Sequence, residues 1–506
     1  MKRVILIISI TITLILSLST SGYADSASPH TFASVEGNRY LWDSESASGL
    51  LFPNGATFNQ AFLPVGISLS LDDKEIELIP QSFPQKKESF WNFAFYSTSQ
   101  FRNTPALLNL NEEILHFKGD RIYHVTYERE ALTHESNYYQ FHQLFFVERG
   151  PYQGDLLIIR SNEHVAIEDA LSYYLAEDPL DPSLLQSPSD RVRVPLFNPK
   201  KALQSLLPNS TSNGQPLWGI FEPSAPRSLV TVNSLEAQLD TNFPLILRYA
   251  NFTDSPNQLQ ADLQNARSEN RMVELTLQTN EDNGLESSIY SVLNGTYDRE
   301  LRDLARVVRQ QGDPVLFRLN NEMNGDWCNY SALYFGMETQ LYKDTWNWIY
   351  QIFQEEGADN ARWIFNPNER SFPQYRWNHM LAYLPALDQI DAVGLTGYNT
   401  GNFYPGERWR SFAEIFDPIY KEYDKVFAYP LLITEFSSSS IGGNKETWIK
   451  EMFDQLPYYP RIEALIWWDY ADYATGGKIA RPYYIDETPD VMDAFREGFK
   501  SFYATE

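Results

Sequence analysis

Phe317-Arg318-Leu319-Asn320-Asn321-Glu322-Met323-Asn324-Gly325-Asp326-Trp327 reads as a buried strand breaking into a loop. The apolar run Val315, Leu316, Phe317 and Leu319 lies just behind Pro314 and gives way to polar residues and an aromatic, as a parallel strand does where it leaves a covered sheet. Glu322 then stands at the strand's C-terminal end. Over a hundred residues later Pro430-Leu-Leu-Ile-Thr-Glu-Phe436 carries Glu435 to the end of a second short apolar run. Two carboxylates on two strand ends are what retaining glycoside hydrolysis requires, one as nucleophile and one as acid and then base. Strand ends on one face are also where a parallel barrel builds its site.

Working outward, a strand and helix rhythm extends on both sides of this stretch. Strands are predicted to start near Leu217, Pro244, Met272, Val315, Ala361, Ile390, Leu431 and Ala464. Apolar spacings of three and four between them predict helices through Leu259, Leu263 and Ala266; Leu301, Leu304, Ala305 and Val308; Leu341, Thr345, Trp348 and Ile352; and, more weakly, Met452 and Leu456. Eight alternating units imply an α/β fold, a (β/α)8 TIM barrel over 217–506. A doubly wound sheet is disfavoured because no glycine-rich phosphate fingerprint follows the first strand, where Gly219 stands alone.

Residues 25–199 lack long helical periodicity. Arg121 to Arg129, Tyr138 to Val147 and Asp155 to Arg160 mix alternation with β-branched and aromatic residues, which predicts a β-rich, sandwich-like accessory domain. Trp42, Trp91, Phe95 and Tyr96 are its candidates for stacking on sugar rings, and filling a core or a domain contact is the commoner use of such residues. Residues 200–216, rich in Pro, Ser and Asn, read as a linker, so that a barrel cut near Leu207 is expected to fold alone. Residues 1–24 read as a signal peptide: Lys2 and Arg3, an apolar stretch from Val4 to Leu18, and Gly22-Tyr-Ala24 before the cut. The mature chain is therefore expected to be secreted, monomeric and without stable membrane insertion.

A formal charge of −26 argues against nucleic acid and anionic membrane surfaces and leaves an uncharged polymer as the natural partner. The single cysteine, Cys328, rules out an internal disulfide, and no His or Cys spacing suggests a metal or other cofactor. No histidine is placed to activate Cys328 as a nucleophile.

The segment Asn321-Glu-Met-Asn-Gly-Asp-Trp327, followed in order by Thr434-Glu435-Phe436, resembles glycoside hydrolase family 26, best known for endo-β-mannanases. The resemblance covers the barrel and not the N-terminal region. It implies that Glu322 is the acid/base at the fourth strand and Glu435 the nucleophile at the seventh. It further implies sugar contacts for Trp327, a tyrosine touching the nucleophile at Tyr398, and a platform under the reacting sugar at Trp467. Arg248, ending the second strand beside Tyr249, is a rival for the polar contacts around the nucleophile, and Arg318 is placed either as a charge partner inside the barrel or in an ion pair below the site. Alternation turns only one of Trp467 and Trp468 inward. Two departures from the family pattern stand out: Asn321 where its mannanases usually carry histidine, and Trp468 where they often carry arginine. The expected function is a retaining endo-β-glycanase acting on a neutral polysaccharide, β-mannan or, given Asn321, a β-glucan or β-xylan. The alternatives are a carbohydrate-binding barrel without activity, or a transglycosylase with the same two carboxylates.

Overall fold

The computed structural model describes residues 29–71, 73–176, 196–200, 215–280 and 287–504. The signal-peptide reading and most of the linker reading fall outside the described residues.

Eight parallel strands close into a barrel in chain order. They are β12 (Leu217–Phe221), β13 (Leu245–Ala250), β14 (Met272–Leu277), β15 (Val315–Leu319), β16 (Ala361–Phe365), β17 (Ala392–Asn399), β18 (Leu431–Ser438) and β19 (Ile462–Trp468), with β19 pairing back onto β12. All eight predicted strands are present. The interior is a packed layer in which Leu245, Leu247, Leu316, Ile364, Ala392, Leu432, Ala464 and Ile466 meet, each alternating with a neighbour that faces the surrounding helices. Four predicted helices form at Pro256–Ser268, Asp298–Gln311, Thr339–Glu355 and Lys445–Gln455. Three long helices escape the periodicity reading: Val230–Leu239, Phe412–Val426 and Pro489–Ala504. The second holds Pro418 within it, a residue that ordinarily argues against a helix interior. Its start is fixed by a capping box, Ser411 with Glu414.

The N-terminal region is two antiparallel sheets. One has the order β1 (His30–Val35), β2 (Asn38–Asp43), β3 (Ser48–Leu51), β11 (Tyr174–Ala176). The other has the order β4 (Thr57–Phe58), β5 (Ile67–Leu71), β6 (Lys74–Ser82), β10 (Gln153–Ser161), β9 (Phe141–Gly150), β8 (Asp120–Glu128), β7 (Leu108–Phe117). Leu41 and Leu50 of the small sheet pack on Ile67, Leu78, Ile122, Phe145, Val147, Leu157 and Ile159 of the large one. The intervening residues Tyr123, Val125, Tyr127, Leu144, Phe146, Leu156 and Ile158 point the opposite way, into the same continuous core as the barrel. The large sheet is therefore buried on both faces, which explains why its central strands read as nearly unbroken apolar runs. Trp42, one of the sugar-stacking candidates, is 1% exposed and lies in the sandwich core.

Polar contacts also cross between the two parts. Arg129, buried, pairs with Glu135 at 2.7 Å and with Glu338 of the barrel at 3.0 Å. The Trp377 indole donates to Ser97 Oγ at 2.9 Å, the Arg376 amide to Gln81 at 2.8 Å, and the Tyr127 hydroxyl to the Gly336 carbonyl at 3.1 Å. The sequence suggested a detachable barrel; the packing makes the two parts one core.

Candidate active site

The C-terminal end of β15 carries Glu322 one turn of chain beyond the last strand residue. Asn320 and Glu322 both have left-handed backbone, φ 49° and 59°, which a side chain with a Cβ adopts only when its surroundings impose it. The Glu322 amide is held by the Asn366 carbonyl at 2.8 Å. Its carboxylate accepts from the Trp327 indole at 3.1 Å. Gly325 is what lets that indole fold back: a Cβ there would sit 2.5 Å from the ring. Asn324 is spent on the loop itself, donating to the Asn368 carbonyl and Ser371 and accepting from the Asn368 amide, with its own carbonyl taking the Phe372 amide.

Glu435 reaches the site through a bulge. Register between β18 and β19 shifts between Ile433 and Phe436, and between β17 and β18 at Leu395 and Thr396. Consecutive residues Thr434 and Glu435 thereby both face inward, Thr434 bonding Asn366 at 3.0 Å, while Phe436 packs outward on Trp467. The Glu435 carboxylate receives the Tyr398 hydroxyl at 2.7 Å and the Asn321 amide at 3.3 Å, and pairs with Arg318 at 2.5 Å. The Asn321 side chain is oriented by its neighbours: its Oδ1 accepts from Gln278 at 3.0 Å, so its NH2 is left to face Glu435. The Tyr330 hydroxyl holds the Asn321 carbonyl at 2.9 Å.

Beneath Glu435 lies a buried polar layer that sequence reasoning largely missed. Arg318, fully buried, also pairs with Glu274 at 2.9 Å and donates to Thr276 at 2.8 Å and Asn366 at 2.8 Å. Asn366 in turn accepts from Thr396 and Thr434. Gly394 makes room for Asn366, whose side-chain atoms would lie 2.9 Å from a Cβ. Of the two sites weighed for Arg318, it is the charge partner inside the barrel. The available signal for Glu274 was a charge set at an inward position of a mostly apolar strand, Met272-Val-Glu-Leu-Thr-Leu277.

The electrostatics separate the two carboxyls. Burial, then the nearby Glu435 charge, push the Glu322 carboxyl up to about 8, with Arg318 pulling the other way. Burial pushes Glu274 up to about 7 against the pull of Arg318. The Tyr398 and Tyr249 hydroxyls are driven well above their ordinary value by burial and the Glu435 charge, so both stay protonated donors. Cys328 is buried and its thiol is pushed up to about 12, which removes it as a nucleophile.

Two predicted contacts lie elsewhere. Arg248 shares the outward parity of Ile246 and pairs with Asp254 at 2.9 Å and Asp262 at 3.3 Å, on the helix side of the barrel wall. Its neighbour Tyr249 takes the inward position. Trp467 is 0% exposed and packs between Phe436, Trp448 and Phe495, its indole bonded to the Tyr483 carbonyl at 2.9 Å. Trp468 faces the barrel mouth instead, stacked on Phe221 at 5.2 Å and edge-on to Tyr398 at 6.2 Å. Counting parity back from Ala464 and Ile466 separates the pair. Among the described residues, no group of His, Cys, Asp and Glu is arranged to hold a metal ion.

The family model for glycosyl hydrolase family 26 matches residues 258–471, a span that contains both Glu322 and Glu435. Endoglucanase H of Acetivibrio thermocellus is 27% identical over 216 residues, 42% of this chain and 23% of that protein. The mannan endo-1,4-beta-mannosidase A and B of Caldalkalibacillus mannanilyticus is 31% identical over 97 residues, 18% of each. The chain thus aligns with only about a quarter, or less, of the length of the curated relatives it matches. Among solved structures, a GH26 beta-mannanase from Bacteroides ovatus superposes with a TM-score of 0.43 at 15% identity, covering 58% of this chain and 89% of that one. The segment that matches the glycosyl hydrolase family 26 model thus spans the strands that carry both carboxylates, and it is in this part of the barrel that the chain is similar to that family.

Proposed function

We propose that the chain is an exported, monomeric, retaining endo-β-glycanase that hydrolyses a neutral β-linked polysaccharide. The observation that carries the reading is the contrast between the two inward carboxyls: Glu435 held by Arg318 and Tyr398, and Glu322, half-buried beside it, pushed up to about 8. A carboxylate fixed by a cation and a phenol is an aimed nucleophile, and a carboxyl still protonated at neutral pH is a general acid. The leader-like residues 1–24 support export.

Glu435 attacks the anomeric carbon while Glu322 delivers its proton to the departing glycosidic oxygen. The glycosyl ester that forms removes the Glu435 charge. Because that charge adds to burial in raising Glu322, its loss lowers the Glu322 carboxyl again, and Glu322, having given up its proton, stays a carboxylate able to take one from water. Water, giving its proton to Glu322, attacks the anomeric carbon from the face the leaving group vacated, the bond to Glu435 breaks with Glu435 leaving as carboxylate, and the β configuration is restored. Tyr398 and Asn321, both on Glu435 in the free enzyme, are placed to turn toward the sugar ring oxygen and 2-hydroxyl as the ester forms.

Asn321 favours a gluco- or xylo-configured sugar at the reacting position, with β-mannan the second reading, favoured by the rest of the motif. Incubation with β-mannan, mixed-linkage β-glucan, cellulose and β-1,3-xylan tests both. Sized oligosaccharides from one of the glucans or the xylan fit the first reading, selective cleavage of mannan replaces it with the second, and no hydrolysis of any polymer overturns the enzyme reading.

A further inference from the structure

The helix Phe90–Ser97 of the N-terminal region lies against the loop that carries the acid/base motif. It buries Phe90, Phe93, Ala94 and Ser97 and turns two aromatic residues out to solvent, Phe95 at 50% and Tyr96 at 41% exposure. Exposed aromatic side chains on a well-anchored helix mark a surface kept for contact. This helix is anchored to the barrel: Ser97 takes the Trp377 indole, and Phe93 packs edge-on to Tyr375 at 4.9 Å. The Tyr96 hydroxyl donates to Asp326 at 2.8 Å, the residue just before Trp327. Trp327 is itself 49% exposed, touches Glu322 through its indole and leans on Phe372 at 5.4 Å.

From Tyr96 the surface continues to Phe95, which meets Tyr123 at 5.0 Å. There Phe95, Tyr123 and the exposed Ile114 line an open cleft of about 430 Å3, with Thr98, Arg102 and Glu112 on its wall. That volume lies within the range of small-ligand sites. The wall offers apolar faces beside hydroxyl and charged hydrogen-bonding groups, and Arg102 and Glu112 neutralise each other as an ion pair. Glu113, also on the wall and bonded to His124 at 3.1 Å, adds a further acceptor, and flat apolar faces bordered by such donors and acceptors suit the faces and hydroxyls of pyranose rings.

We propose that Trp327, Tyr96 and Phe95 form one aromatic track from Glu322 to the cleft at Phe95, Ile114 and Tyr123. The N-terminal region thereby supplies a distal sugar subsite for the polysaccharide held at the barrel. The track gives the two-sheet region a role in substrate binding and requires the rigid attachment that the shared core provides. The proposal rests on the polysaccharide reading of the barrel, and its test separates the two.

Affinity electrophoresis through gels of soluble galactomannan, mixed-linkage β-glucan or arabinoxylan, with dextran as the α-linked control, reads binding in a Glu322→Gln/Glu435→Gln background that leaves the gel matrix intact. Phe95 is solvent-facing, so Phe95→Ala keeps the fold, checked by its melting temperature. It is expected to weaken retardation about ten-fold in apparent affinity, in line with losing part of one aromatic's buried area. Phe95→Trp is expected to restore it. In the active enzyme the same Phe95→Ala lowers the ratio of kcat/KM on polymer to that on a short aryl glycoside, through KM. Retardation of Phe95→Ala equal to that of its parent, or a parent that no β-glycan retards, overturns the track. Hydrolysis with no dependence on Phe95 leaves the enzyme reading standing and the track refuted. Phe95-dependent retardation without hydrolysis does the reverse.

Discussion

Glu322 is held in left-handed backbone between a carbonyl and an indole, in a site that raises its carboxyl to about 8. Its protonated form is the working form, so kcat/KM is expected to fall as pH rises through about 8. A profile flat to pH 10 contradicts the assignment. Glu322→Ala is expected to spare the first step on an aryl glycoside with a good leaving group and to be accelerated by azide, whereas Glu435→Ala loses both steps. Asn321 presents its amide to the reacting position, and Asn321→Ala is expected to cost about 2 to 4 kcal/mol in turnover with little change in binding, by analogy with removing one positioned donor. Unchanged turnover would place Asn321 outside the reacting position. These residues were legible because motif order and strand ends announce them. Trp468 and Tyr249 were not, because naming the inward member of each pair needs the strand's register, and the one-residue ambiguity of a short strand hides it. Glu274 and Asn366 act through Arg318 and carry no motif.

At the scale of elements, the bulge in β18 and the Asn324 loop aim the two carboxyls, and glycines mark where the fit is tight. Gly325→Ala is expected to push the Trp327 ring off Glu322 and lower activity while the melting temperature hardly changes, since the displaced ring is at the surface. A large stability loss with full residual specific activity would contradict this. The eight strands were readable because each is a short apolar run with turn residues around it. The helix Phe412–Val426 was not, since Pro418 masks a pattern in which Phe412, Ile415, Phe416, Ile419 and Tyr423 face the barrel. The linker reading carried no such detail for a related reason: composition locates a connector but gives no information on what packs across it. Trp377 and Tyr375 owe their burial partly to the N-terminal helix. Burying an aromatic side chain is worth roughly 1.5 to 3 kcal/mol, so uncovering several consumes much of a stability of about 5 to 15 kcal/mol. A barrel cut near Leu207 is therefore expected to be insoluble or to melt well below the full chain. Unchanged melting would show that the shared core is energetically slight.

Across the whole molecule, buried carboxyls set how stability follows pH. Glu322 at about 8, and Glu274 and Asp469 at about 7, are raised far above their unfolded values. The folded chain therefore holds more protons than the unfolded one up to those values, and stability falls as pH rises through that window. Buried His142, lowered to about 4, acts oppositely, but only below the ordinary histidine range. The melting temperature is thus expected to decline between about pH 6.5 and 9, and Glu274→Gln to flatten part of the decline; a rise over that interval contradicts the burial of these acids. The central claim, that Glu435 becomes covalently bonded to the sugar, is tested most directly by trapping. The enzyme is mixed with an activated 2-deoxy-2-fluoro glycoside of the preferred sugar, and the protein is weighed and peptide-mapped by mass spectrometry. The account predicts one added glycosyl residue, located on Glu435 in the peptide through Thr434 and Phe436. A label on another residue, or an unlabelled protein whose first hydrolysis product from the natural substrate is the α-anomer, would contradict it.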